Sequence, residues 1–346
     1  MAETDYAQAP VLLFDPVHAN QRTTRYALHE IGFRKIDCVA SLRDLKAGLT
    51  EGAPVMVVAE SSATDADIFK VVRSIRHGEL GANPFVVILL TTWSRDTTHI
   101  RRAIECGADD LIVRPFSTIF AEERVRTLIK ARKEFIVTSD YIGPDRRKQT
   151  SDRSSSAQSI EVPNLLRAMV EQDTDALSRG SQWIREANSA VAGERMRRVA
   201  MRIVVNVELF LSHPETGKNV KLDADDMMRS ARELKAQLVR AERREAAEIA
   251  EALTDQIATL QAEEGDPPID TLKLIKELSM GAYAAYANGD SLERSRDEIG
   301  RTVSNLRKRL EARAEEVKRR AELAAVEAEA DEAGQDQSAT LKRAAM

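Results

Sequence analysis

Asp15, Glu60, Thr92 and Arg114 are the residues of this chain best suited to chemistry, and each stands just past a short apolar run. Carboxylates are hard oxygen ligands of the kind that hold Mg²⁺. A hydroxyl donates to an anionic oxygen. A guanidinium offers a planar fork that pairs with a carboxylate through two parallel N–H groups. Brought together, such a set holds a hard cation or closes on itself as an ion pair. Histidine and cysteine offer less. His18, His29, His77, His99 and His213 have no metal-ligand spacing, and Cys38 and Cys106 make neither a disulfide framework nor a zinc site. His18 and His99 fall near the same strand ends and are read as surface residues. No Gly-rich phosphate or dinucleotide loop occurs.

The elements that must position these residues alternate in type. Apolar runs of strand length lie at 11–14, 35–39, 55–59, 85–90 and 111–113, and helical patterns at 22–31, 42–49, 67–76, 98–106 and 119–132 separate and follow them. Near-continuous apolar strands between helices imply a parallel sheet covered on both faces. The expected fold is therefore α/β, a doubly wound five-stranded parallel sheet. Its ligand crevice lies at the carboxyl ends of the strands. That is where Asp15, Glu60, Thr92 and Arg114-Pro115 fall.

This spacing, together with the string Gly107-Ala-Asp-Asp-Leu-Ile-Val-Arg-Pro-Phe116, resembles the flavodoxin-like receiver domain of bacterial response regulators over residues 10–133. The resemblance implies roles. Glu60 takes the phosphoacceptor position, Asp15 the acidic pocket, Thr92 (rather than Thr91) the switch position, and Arg114-Pro115 the place of the family's Lys-Pro. It also exposes departures. Pro16 replaces the second acid and removes a Mg²⁺ ligand. Glu60 is one methylene longer than the acceptor Asp, a misplacement that can cost about 10²-fold in rate. Arg114 keeps the charge of Lys but favours a bidentate ion pair. Trp93 brings bulk where a small residue usually follows the switch Thr. The expectation is a pseudo-receiver that is not phosphorylated, with Glu60 paired to Arg114; the plainer reading makes both solvated rim residues. No metal or cofactor is expected, Mg²⁺ entering only if the degenerate site (Asp15, Glu60) still binds it.

The expected domains are a receiver-like unit at 8–134, a linker at 135–160 containing Tyr141-Ile-Gly-Pro-Asp-Arg-Arg147, a helical output region at 161–332 and a disordered tail at 333–346. In the linker motif, Tyr141 and Ile142 could pack on a domain surface while Arg146 and Arg147 grip an anion. Residues 223–261 read as one long helix, and a last helix starts at Ser291 with coiled-coil-like positions. Met196, Val199, Ile203, Val207 and Phe210 form a stripe, and Leu177, Trp183, Ile184 and Leu209 are assigned to the same small core. A second stripe takes in Leu274, Leu278, Met280, Tyr283 and Tyr286. Aromatics are only 4% and charged residues 31% of the 346 residues, which suits ion-paired helices better than a second large core.

With 51 basic against 56 acidic side chains, the net charge of -5 gives no global case for nucleic-acid binding. The absence of a signal-peptide pattern or a long apolar run sets the expected location as the cytoplasm, without membrane association. The resulting functional expectation is a two-component signalling protein, not an enzyme. It would act by contact with other signalling proteins, such as a histidine kinase or a second regulator, or as a homodimer. A DNA-binding transcriptional regulator and a structural dimerising protein are the alternatives.

Overall fold

The computed structural model describes residues 4–62, 67–146, 159–211, 222–262 and 267–287. The chain divides into two compact units, residues 1–198 and 199–346.

In the first unit the expected alternation forms. Strands β1 (Val11–Phe14), β2 (Ile36–Val39), β3 (Met56–Glu60), β4 (Val87–Thr92) and β5 (Asp110–Val113) make one parallel sheet in the order β2-β1-β3-β4-β5. Helices α1 (His18–Ile31), α2 (Leu42–Glu51), α3 (Ile68–Arg76), α4 (Thr97–Glu105) and α5 (Thr118–Lys130) connect and follow the strands. Ser41, Asp67, Asp96 and Ser117 start α2 to α5 by accepting hydrogen bonds from first-turn amides, so those helices begin where capping chemistry allows.

Successive strand residues point to opposite faces, and both faces are apolar. Leu12, Phe14, Val57, Ala59, Ile88 and Leu90 pack on one side with α2 and α3. Val11, Leu13, Met56, Val58, Val87 and Leu89 pack on the other with α1 and α5. The register aligns Phe14 with Ala59, Glu60 with Thr91, and Thr92 with Val113. Asp15, Glu60 and Arg114 thereby come to one edge of the sheet.

The described residues of the expected linker at 135–160 carry strand structure. Strands β6 (Phe135–Val137), β7 (Ile142–Pro144) and β8 (Ser159–Ile160) form a small antiparallel sheet in the order β7-β6-β8. Phe135, Val137 and Ile142 are buried in a core with Phe85. Gly107 holds the sheet close: at φ 96° it takes a backbone conformation that side chains rarely adopt, and a Cβ there would sit 2.5 Å from the Ile142 carbonyl oxygen. Arg146 donates to the carbonyl oxygens of Ala108 and Asp109, and the Tyr141 hydroxyl donates to Pro144 O. Tyr141 and Ile142 thus pack on a domain surface as expected. Arg146 grips backbone oxygens rather than a carboxylate or phosphate, and Arg147 lies outside the described residues.

The compact unit that contains the expected 8–134 segment runs on past residue 134, to residue 198. Leu166 and Val170 of α6 (Leu165–Val170) are buried in the same core as Val11 and Leu13. Helix α7 (Thr174–Leu211) starts in the first unit, where Ala187 and Val191, with Ile184 against them, join the core around Phe85 and Phe135. Ile184 therefore does not belong with the stripe at 196–210. Of that stripe Met196, Val199, Ile203 and Val207 are buried and Phe210 is half-buried.

The second unit is helical. The expected long helix at 223–261 is two, α8 (Ala224–Arg240) and α9 (Arg244–Ala262). Between them Glu242 adopts φ 55°, and the amides of Glu242 and Arg243 bond back to Val239 and Leu238. The charged run offers no apolar anchor, so reversing the chain there lets Leu234 and Leu238 be buried along with Ala250 and Leu253. Helix α10 (Ile269–Ala287) buries Leu272, Ile275, Ser279, Ala282 and Tyr283. Leu274, assigned to this stripe from sequence, is instead exposed. Arg202 makes a two-pronged bond to Asp226, at 2.7 and 2.6 Å. The helix from Ser291 and the tail at 333–346 lie outside the described residues.

Candidate functional site

Arg114 leaves the end of β5 and turns its guanidinium into the crevice. Its Nε donates to Glu60 Oε2 at 3.0 Å. Its Nη2 donates to Asp15 Oδ2 at 3.2 Å, Thr24 Oγ1 at 2.6 Å and Thr91 Oγ1 at 3.2 Å. Thr91 Oγ1 donates in turn to Glu60 Oε2 at 2.9 Å, and Glu60 Oε1 accepts from the Ser62 amide at 2.8 Å. Asp15 Oδ1 accepts from the Val17 amide. Every member is buried: Asp15 is 0%, Thr24 2%, Glu60 3%, Thr91 1% and Arg114 4% exposed. The guanidinium also lies over the ring of Phe116, 5.2 Å from its centroid. Burial pushes the Asp15 carboxyl up from its ordinary value, against the opposing pull of the Val17 amide and Arg114.

The reading of Glu60 and Arg114 as solvated rim residues does not survive this geometry. They form the charge-assisted pair, and Asp15 joins it. Thr92 is placed elsewhere: its hydroxyl lies 2.7 Å from Ser62 Oγ and accepts from the Ser94 amide. That hydroxyl makes no bond to the Glu60 carboxylate or the Arg114 guanidinium, although the Thr92 carbonyl oxygen accepts from the Arg114 amide at 2.7 Å; the hydroxyl across from Glu60 belongs to Thr91. Pro115 is exposed at the rim. Trp93 is 50% exposed, so the group that fills the crevice is Arg114 and not the indole. His99 lies beside the site, with Nε2 3.1 Å from Ser61 Oγ; burial, then Arg102, lowers its pKa. His18 shows no contact with the cluster.

Sequence reasoning missed Thr24 and Thr91. Thr24 carried a signal, being a polar residue three and four positions before the buried Ala27 and Leu28 on the inner face of α1. Thr91 carried one in the strand register, which sets it opposite Glu60.

A magnesium site does not fit these residues. Mg²⁺ demands a near-octahedral shell of oxygens. Pro16 supplies none, and the space between the Asp15 and Glu60 carboxylates is spanned by the Arg114 guanidinium. Among the described residues no group of three or more His, Cys, Asp or Glu could hold a metal ion.

The strand order β2-β1-β3-β4-β5 is the flavodoxin-like arrangement, with its crevice at the β1/β3 switch point. The first unit contains this flavodoxin-like five-stranded α/β fold. Solved structures similar to it are receivers. The Vibrio cholerae chemotaxis protein CheY4 is 18% identical, over 35% of this chain and 98% of its own, with TM-score 0.31. A signal receiver domain from Bermanella marisrubri is 21% identical, over 36% and 100%, with TM-score 0.33. Response regulator DrrB of Thermotoga maritima, an OmpR/PhoB homologue, is 20% identical, over 37% and 55%, with TM-score 0.32. No family model and no curated protein matches the chain. Among the described residues no helix is long and apolar enough to cross a membrane.

Proposed function

We propose that this protein is a two-component-type signalling protein whose receiver fold works without phosphorylation and passes its signal on by contact with other proteins. One observation carries the reading: Arg114 already fills, as a built-in cation, the space between Asp15 and Glu60. In-line phosphoryl transfer needs a free nucleophile and a metal beside it. Here the Glu60 carboxylate is committed to Arg114 Nε, Thr91 Oγ1 and the Ser62 amide, and the neighbouring acid is committed to the same guanidinium. The unit is not an enzyme in this reading. Its partners are other signalling proteins, a histidine kinase or a second regulator among them, or a second copy.

The test is acetyl phosphate with Mg²⁺, followed by a phosphate-affinity gel. No retarded band is expected from the full chain. A labile phosphorylated form that disappears in Glu60→Ala would overturn the proposal.

A further inference from the structure

At the opposite end of the same sheet, the segments leading into β3 and β4 face α6 and the start of α7 across a cavity of about 540 Å³. Its walls are mainly apolar, formed by Leu49, Pro54, Leu80, Leu165, Leu177 and Ile184. Among the described residues three side chains bring polar groups to it, and all three can donate hydrogen bonds. Asn83 uses its amide oxygen to accept from Phe85 N, which leaves its nitrogen as a donor. Ser181 contributes a hydroxyl. Arg185 contributes a guanidinium that has no hydrogen-bond or ion-pair partner among the described residues. Among the described residues no Asp or Glu lines the cavity.

This is the form of a small-molecule site: a concave apolar body of a few hundred Å³ with a few convergent polar groups. An apolar body with one uncompensated cation selects an aliphatic ligand with an anionic head. From this lining we infer that the cavity binds a single-chain aliphatic carboxylate, its chain among Leu49, Leu80, Leu165 and Leu177 and its head at Arg185. Leu177, Ser181, Ile184 and Arg185 recur at helical spacing on one side of α7, so a bound ligand meets the helix that continues past Arg198. A receiver whose crevice is closed thus has a separate place at which to take a chemical input.

The probe is decanoate, titrated calorimetrically into the full chain below its micelle-forming range. One saturable site is expected. Ser181→Phe, a substitution at an exposed helix position, fills the mouth and should weaken binding at least tenfold. Arg185→Gln should weaken decanoate by about tenfold while leaving decanol unchanged, since only the carboxylate uses the charge. Absence of saturable binding would overturn the inference, as would equal affinity in wild type and Ser181→Phe. Equal loss of decanoate and decanol in Arg185→Gln would overturn the anionic head. Flotation with phosphatidylglycerol vesicles that Ser181→Phe abolishes, without decanoate uptake, would replace the free ligand by a bilayer.

Discussion

Two buried clusters in the first unit use the same chemistry with the charges reversed. In the crevice one guanidinium, Arg114, serves two carboxylates, Asp15 and Glu60. Beneath the small sheet one carboxylate, Asp109, serves two guanidiniums. It accepts from Arg76 Nη2 at 2.8 Å, from Arg132 Nε at 2.8 Å and from the Ile88 amide. Arg76 spends its other donors on the carbonyl oxygens of Gly107, Pro84 and Val86. The difference lies in what happens when the lone partner is removed. A stranded carboxylate can take up a proton and become neutral, whereas a stranded guanidinium keeps its charge at neutral pH. Burial lowers Arg76 only to about 10. Asp109, held by Arg132 and Arg76 against the cost of burial, sits below its ordinary value, while Asp15 sits above it.

The sharpest way to break the comparison is Asp109→Asn, which leaves two buried cations with a neutral amide. Breaking a buried pair in this way costs about 3–5 kcal/mol. Urea unfolding at pH 7 should show that loss, and a change below about 1 kcal/mol would remove the contrast. Arg114→Met should cost less, about 2 kcal/mol, because the two acids it strands can protonate. Its cost should shrink from pH 8 to pH 5 in the same urea titrations; a cost independent of pH would show that neither acid escapes.

Asp15→Asn has the smallest effect and the opposite sign. A carboxyl raised in the folded state binds more protons folded than unfolded, so its contribution to stability is full below 3.8 and lost as pH rises through the folded value. The amide has no such loss. Relative to wild type, Asp15→Asn should therefore gain stability between pH 4 and pH 7, by less than about 1 kcal/mol. Asp109, lowered, contributes above 3.8 and loses that contribution only as pH falls through its own folded value. A gain for Asp15→Asn that grows toward acid would contradict the sign.

The central strands were legible because apolar runs such as Val55 to Ala59 are buried on both faces, while the edge strand β2, with Asp37 and Cys38 exposed, carried the weaker signal. The crevice was legible as far as its backbone positions: Glu60 and Arg114 do meet. What could not be read was contact that depends on the angle of a side chain, so Thr91 rather than Thr92 faces Glu60, and Thr24 enters unannounced. Strands β6 to β8 were hidden for a different reason. Each has only two or three residues, one contains Gly143-Pro144, and their burial depends on Arg76, Gly107 and Asp109, which are distant in sequence. The break at Glu242 was masked by residues of good helix propensity on both sides.

The contact between Gly107 and Gly143 bears on how this unit travels as a genetic module. A Cβ on Gly143 would lie 2.8 Å from the Gly107 Cα, so the two glycines constrain each other across 35 intervening positions. A cut at residue 134 would separate them and strip Phe85 and Arg76 of their cover. Grafting this α/β unit onto another region would have to carry the sequence through β8 and α6, which makes the piece that can be exchanged longer than the five-stranded fold alone.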